Sequence, residues 1–142
     1  SARHSLSLSP ADAALRDRLE KIYGEAALEV PTLEEALAAA SGAQGTREHA
    51  RKILQLLVEA GTLRRVREDL YFHRDALARL VSALHDYGAR HEPERLIDVA
   101  AFKELSGVSR KYAIPLLEYF DRERVTRRAG DRRIILKGRG EG

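Results

Sequence analysis

The amino-acid sequence predicts a mainly α-helical chain with small β-hairpins, in which one arrangement of three helices and a hairpin occurs twice. The length of 142 residues suits two small domains. A capping residue and the apolar helical stripe that follows it recur at a constant offset of 63 residues. Each copy is followed by two short β-rich runs around a polar turn. The matching positions are Thr46, Ala50, Ile53, Leu54 and Leu57 in the first copy, and Ser109, Ala113, Leu116, Leu117 and Phe120 in the second.

Capping signals predict the first two helices. Ser9 stands before Pro10, as a cap stands before a first helical turn, and Gly24 is expected to end this helix. Thr32, with Glu35 three residues later, has the spacing of a capping box and predicts the start of a second helix. The apolar stripe of the first helix comprises Leu15, Leu19 and Ile22.

The other elements follow the same order in both halves. After the helix that Thr46 caps, the first hairpin is predicted at residues 62–66 and 70–73. The second half has an amphipathic helix, a short strand, a brief helix, the long helix that Ser109 caps and a second hairpin. These elements are predicted at 75–87, 96–97, 99–105, 109–121, and 125–127 with 133–136.

Three helices followed by a hairpin is the element order of a winged helix, a form of the helix-turn-helix fold. We therefore predict two tandem winged-helix domains, residues 1–73 and 74–142. The alternative is a single all-helical domain whose arginine-rich ends are loops. The joint recurrence of caps, stripes and hairpins favours the tandem arrangement.

The positive charge is concentrated at one end of the chain. Residues 1–73 carry 10 Lys/Arg against 11 Asp/Glu, a net charge of −1, whereas residues 74–142 carry 15 against 11, a net of +4. Residues 110–139 hold 10 basic and 4 acidic residues. This distribution is expected of a surface that binds a polyanion, although a well-solvated basic surface would have the same composition.

Several classes of function are disfavoured by what the sequence lacks. There is no run of roughly 20 apolar residues, as a membrane span requires, and the first residues have no apolar signal core. Cysteine is absent, which excludes disulfides and thiolate metal sites. The histidines are scattered without metal-ligand spacing, and phosphate-loop, dinucleotide and nucleophile motifs are missing. The sequence thus predicts no catalysis, no metal site and no cofactor.

The long helix of the second half begins with two cations, Arg110 and Lys111. Cations at a helix N-terminus oppose the helix dipole, so a bound phosphate would offset their cost and could meet the free backbone N–H groups as well. Tyr112 beside them is a candidate for stacking on an unpaired base, or else covers apolar surface. Pro115, inside the same helix, removes one helical hydrogen bond and suggests a bend or a freed carbonyl.

Four arginines flank the second hairpin turn and would repel one another unless an anion lay nearby. Arginine offers bidentate contacts to phosphate and can stack on bases. Together with the helix start, this hairpin indicates a nucleic-acid-binding surface. The four residues are Arg127, Arg128, Arg132 and Arg133.

Residues 97–136 resemble the last winged-helix domain of the bacterial selenocysteine-specific elongation factor (the SelB family). The likeness is carried by the segments AAFKELSGVSRK, AIPLLEYFD and VTRRAGD, and residues 10–73 are similar, more weakly, to the penultimate winged helix of that family. The resemblance implies that the second domain binds the selenocysteine insertion hairpin of messenger RNA. It places Arg110 and Lys111 at the family's RNA contact region, and adds Lys103 as a further candidate.

The family also implies partners that lie outside this sequence. GTP-binding motifs are missing here, so the chain looks like a C-terminal fragment whose partners would be an mRNA stem-loop, the ribosome, and the GTPase and tRNA-binding portion of the full factor. The first domain lacks the dense basic hairpin, which suggests spacing or contact with ribosome or tRNA. We expect a monomer in the cytoplasm. Two alternatives remain: a duplex-DNA-binding transcription regulator and a protein-interaction module.

Overall fold

The computed structural model describes residues 8–42 and 45–138, and it divides the chain into two compact units. The first unit is Ser1–Arg74 and the second is Asp75–Gly142. Among the described residues, helices dominate and the strands form two small antiparallel sheets. The predicted fold class is confirmed.

The first unit consists of three helices and a two-stranded hairpin. These are α1 (Pro10–Ala26), α2 (Leu33–Ser41), α3 (Arg47–Glu59), β1 (Leu63–Arg67) and β2 (Leu70–His73). The three helices pack against one another, and α1 also packs on β2. The largest fully buried side chains of this unit are Leu19, Tyr23, Leu37, Leu54, Leu63 and Phe72.

Helix starts in the first unit are fixed by the predicted caps. The side chain of Ser9 accepts a hydrogen bond from the backbone N–H of Asp12, and Pro10 occupies the first turn of α1. Thr32 and Glu35 form the complete capping box at the start of α2. The side chain of Thr46 caps α3 through the N–H of His49.

The prediction that Gly24 ends α1 is wrong. The helix continues through Gly24 to Ala26, and Ala27, with a φ of 53°, follows its last residue. Tyr23, rather than Ile22, is the third buried residue of the stripe. An interior glycine costs a helix only roughly 1 kcal/mol relative to alanine, so Gly24 alone does not end α1.

The second unit repeats the order and adds a strand. Its elements are α4 (Arg74–Arg90), β3 (Leu96–Asp98), α5 (Val99–Ser106), α6 (Arg110–Arg122), β4 (Thr126–Ala129) and β5 (Arg132–Ile135). The sheet order is β3-β5-β4, with β5 in the centre. Helix α5 packs on α6 and α6 packs on β4. Phe102 and Phe120 meet edge to face in the core, with ring centroids 6.4 Å apart.

The predicted stripe of α6 is confirmed, because Ala113, Leu116, Leu117 and Phe120 are all buried. The helix runs through Pro115 without interruption. Gly107, in the left-handed conformation with a φ of 77°, follows the last residue of α5 and ends the helix. No helix among the described residues is long and apolar enough to cross a membrane.

Candidate nucleic-acid interface

The first turn of α6 presents a cluster of positive groups. Ser109 occupies the cap position in an extended conformation, and its side chain makes no capping hydrogen bond. Arg110 and Lys111 are exposed, and the turn contains no acidic residue. The Nζ of Lys111 lies 5.4 Å from the ring centre of half-buried Tyr112. The positive end of the helix dipole and two cationic side chains thus lie together at the start of α6.

The equivalent helix of the first unit differs in its electrostatics. Arg47, which corresponds to Arg110 at the offset of 63 residues, lies 3.5 Å from a carboxylate oxygen of Glu34. Arg51 contacts the same carboxylate at 3.3 Å. Among the described residues of the second unit, no acidic side chain forms an ion pair with Arg110 or Lys111. The second unit therefore presents the less neutralised helix start.

Strand register separates the hairpin arginines into two faces. Residues directly opposite each other in an antiparallel ladder project from the same face of the sheet. Arg127 is opposite Ile134, and Arg132 is opposite Ala129, so both arginines lie on the outward face. They are diagonal neighbours, which places their Cα atoms roughly 7–8 Å apart. Both are exposed, and in the described part of the chain neither forms an ion pair.

Arg128 lies on the other face, close to the end of the hairpin. It is exposed, and its Nε donates a 2.9 Å hydrogen bond to the backbone carbonyl of Gly130. This bond holds the guanidinium at the tip of the turn, where Gly130 has a positive φ of 68°. Arg128 thus remains accessible at the tip, apart from the outward pair.

The structure corrects the prediction for Arg133. This residue is opposite Arg128 in the ladder, but it sits nearer the core and is only 3% exposed. Its Nη2 and Nε donate hydrogen bonds of 3.0 and 3.2 Å to Oδ2 of Asp121. Arg133 is therefore a buried, ion-paired residue and not a phosphate ligand of the surface. Sequence reasoning failed here because it could not tell which arginine faced inward.

Sequence reasoning also missed Asp121, the partner of Arg133. Its Oδ1 accepts a 2.7 Å hydrogen bond from the hydroxyl of Thr126. A usable signal was present: Asp121 lies in the last turn of α6, where the helix dipole disfavours negative charge. A cationic partner offsets this unfavourable interaction, and buried Arg133 is that partner here.

Lys103 lies on α5, in the last turn, and is exposed. Its backbone carbonyl accepts the 2.7 Å hydrogen bond from the N–H of Gly107 that ends the helix. The ammonium group forms no ion pair within the described residues. Lys103 is thus a second-unit cation on the helix that packs against α6.

A metal centre is not suggested by the arrangement of side chains. Within residues 8–42 and 45–138, no three His, Cys, Asp or Glu side chains are grouped so that they could hold an ion. Two described histidines of the first unit each contact a carboxylate: His49 lies 2.7 Å from Asp12, and His73 lies 3.0 Å from Glu20. Both pairs join α1 to a later element of its unit.

Comparison with known proteins identifies relatives of both units. Residues 90–135 match the protein family described as "Elongation factor SelB, winged helix". The selenocysteine-specific elongation factor of Desulfomicrobium baculatum is 32% identical over 134 residues, which cover 94% of this chain and 20% of that protein. The corresponding factor of Escherichia coli strain K12 is 26% identical over 133 residues, 93% of this chain and 20% of that protein.

Solved structures show the same fold. The mRNA-binding domain of E. coli SelB, solved in complex with SECIS RNA, matches with a TM-score of 0.71 and 24% identity, over 90% of this chain and 98% of that chain. A bacterial selenocysteine-specific elongation factor, EF-Sec, matches with a TM-score of 0.68 and 24% identity, over 87% of this chain and 18% of that chain. The resemblance to SelB winged helices is confirmed. The chain spans about a fifth of the length of the curated relatives that it matches.

Proposed function

We propose that this chain binds the selenocysteine insertion hairpin of messenger RNA through its second unit, because residues 90–135 match the SelB winged helix. In this role it tethers a selenocysteine-specific elongation factor to the message for decoding of UGA. The observation that carries the proposal is the set of exposed second-unit cations that no acidic side chain neutralises, in the described residues. On α5, α6 and the hairpin they are Lys103, Arg110, Lys111, Arg127, Arg128 and Arg132, and the other members of the set are Arg79, Arg90, Arg124 and Lys137.

The start of α6 supplies the strongest anion site in this proposal. A phosphate there would meet the dipole of a 13-residue helix, the free N–H groups of its first turn, and the side chains of Arg110 and Lys111. Arg127 and Arg132 on the outward face of the hairpin would contact a second stretch of the RNA backbone, with Arg128 at the tip. Arginine suits these contacts because its planar guanidinium binds phosphate in a bidentate manner.

Specificity in this proposal comes from unpaired bases of the hairpin. The deep major groove of A-form RNA is too narrow for side chains to read, so sequence is read where bases are looped out. Tyr112 is the candidate for stacking on such a base, since it is only half-buried and lies beside Lys111. Base stacking on an aromatic side chain contributes roughly 1–3 kcal/mol.

The remaining roles follow from the same family. We propose that the first unit, about residues 1–73, acts as a spacer or contacts ribosome or tRNA, since its helix start is partly neutralised by Glu34. The chain would act by binding and not by catalysis, without a cofactor, as a monomer in the cytoplasm. Its partner in the full factor would be the portion that binds GTP and selenocysteinyl-tRNA.

A competition assay tests this proposal against duplex-DNA binding. A labelled SECIS hairpin is bound to the 142-residue chain and displaced with unlabelled hairpin, with a fully paired RNA duplex, or with DNA duplex of the same length. We expect the hairpin to compete at the lowest concentration. Equal competition by DNA would favour a DNA-binding regulator, for which polar base-reading side chains along the exposed face of α6 would be needed. That face offers Tyr112 and Glu118 after the basic pair.

A further inference from the structure

A buried ion-pair cluster fixes the hairpin of the second unit to the end of α6. Asp121, on the last turn of the helix, accepts hydrogen bonds from Arg133 on β5 and from Thr126 on β4. Both strands of the hairpin are therefore tied to a single carboxylate. We call Asp121, Thr126 and Arg133 the hairpin anchor.

The anchor buries charged side chains at a place in the sheet where the neighbouring inward residues are apolar. The side chain of Arg133 is 4% exposed and that of Asp121 is 24% exposed, so both charges have lost much of their hydration. Burial of an ion pair is often no more stabilising than apolar side chains of the same volume. The neighbouring inward positions of this sheet, Ile97 and Ile135, are apolar in the ordinary way. A directional interaction that fixes geometry accounts for the anchor better than a gain in stability does.

Strand register connects the anchor to the surface. Arg133 is flanked along β5 by Arg132, whose side chain leaves from the opposite face. Thr126 is likewise followed by Arg127 on β4. Each inward anchor residue thus has an outward arginine as its direct neighbour in the chain. A shift of the anchored residues by one position would exchange the buried and exposed faces.

We propose that the hairpin anchor positions Arg127 and Arg132 for RNA, so that Asp121 and Arg133 act as positioning residues of the interface without touching the ligand. This inference rests on the proposed function. With the anchor closed, the two outward guanidinium groups are held at one angle to α6 and bind as a pair. With the anchor broken, the hairpin samples several angles to α6. RNA binding must then order the hairpin, and the entropy lost in doing so weakens the affinity.

The test is a double-mutant cycle between Asp121 and Arg132 of the 142-residue chain. The affinity for the SECIS hairpin is measured for the wild type, Asp121→Asn, Arg132→Gln and the double variant, at a temperature where all four are folded. We expect Arg132→Gln to weaken binding roughly tenfold in the wild type, as loss of one charged hydrogen bond would. In the Asp121→Asn background the same change should cost less than about threefold, since the contact is no longer held in place.

A purely structural anchor would not produce this coupling. It would lower the melting temperature of Asp121→Asn, but Arg132→Gln would then cost the same factor in both backgrounds, and that result would overturn the inference while leaving hairpin binding intact. If Arg132→Gln and Arg127→Gln have no effect even in the wild type, the hairpin strands do not contact RNA. That outcome would overturn both this inference and the proposed role of Arg127 and Arg132 in RNA binding.

Two further variants serve as control and substitute. Glu92→Gln removes a carboxylate that pairs with another buried arginine in the same unit, Arg95, which keeps its 2.7 Å bond to the carbonyl of Ile135. It should lower stability without changing the effect of Arg132→Gln. If Asp121→Asn does not fold, Thr126→Val removes a single hydrogen bond from the anchor. It should reduce the coupling partially, and full additivity in this variant would likewise overturn the inference.

Discussion

Replacement of Tyr23 by phenylalanine should make the first unit more stable. The Tyr23 side chain is fully buried, and its hydroxyl has no hydrogen-bond partner among the described residues. An unpaired buried hydroxyl costs roughly 1–3 kcal/mol, whereas the small cavity left by one oxygen atom costs on the order of a few tenths of a kcal/mol. We therefore expect Tyr23→Phe to raise the free energy of unfolding by about 1 kcal/mol or more.

Alkaline pH should enlarge this difference. Burial, together with the nearby Tyr71, raises the pKa of Tyr23 above its ordinary value of 10.0. Above that pH the unfolded chain loses the Tyr23 proton while the folded chain retains it, so the wild type loses stability as pH rises. The loss amounts to about 1.4 kcal/mol per pH unit from this one group. The Phe variant lacks the titrating hydroxyl and therefore lacks this loss of stability. The difference in free energy of unfolding between the two proteins thus separates the effect of Tyr23 from that of other titrating residues.

The measurement is urea unfolding of both proteins at pH 7 and at several values above pH 10, followed by far-UV circular dichroism. A Tyr23→Phe protein less stable than the wild type at pH 7 would refute the reasoning. So would parallel loss of stability in the two proteins above pH 10.

Two helical glycines give opposite predictions for substitution by alanine. A Cβ at Gly88 would lie 2.9 Å from the guanidinium carbon of Arg95, which is buried and held by backbone carbonyls. Because Arg95 cannot easily move away, Gly88→Ala should destabilise the second unit by about 1 kcal/mol or more. A Cβ at Gly24 would lie 3.6 Å from His73, an ordinary contact, so Gly24→Ala should stabilise the first unit by up to about 1 kcal/mol. Thermal unfolding of each variant checks the pair: a stabilised Gly88→Ala protein would contradict the packing described for Arg95, and a destabilised Gly24→Ala protein would contradict the ordinary contact described for His73.

Local sequence signals predicted the elements of the fold well. The capping box of Thr32 and Glu35, the cap at Thr46 and the stripe of α6 all depend on residues within one or two helical turns. The prediction for Gly24 was wrong because an interior glycine costs a helix only roughly 1 kcal/mol, so a glycine by itself does not fix where a helix ends.

The candidate site could be predicted less completely than the fold. Arg110 and Lys111 begin α6, and Lys111 lies opposite its apolar stripe, so the sequence was sufficient to predict that both are exposed. In the hairpin, the sequence does not distinguish the four arginines from one another. The face of the sheet on which each one lies depends on the register of β4 and β5. The ion pair between Asp121 and Arg133 joins positions 12 residues apart, and pairing at that separation is set by how the strands fold back on the helix.

Salt dependence of hairpin affinity tests the central claim most directly. If Arg110, Lys111, Arg127 and Arg132 each neutralise a phosphate, the logarithm of the association constant should fall against the logarithm of salt concentration with a slope of roughly −3 to −4. Replacing both Arg110 and Lys111 by glutamine should reduce the steepness by about 2 and weaken binding, while the circular dichroism spectrum is unchanged. An unchanged slope and affinity in that double variant would show that RNA does not bind at the start of α6.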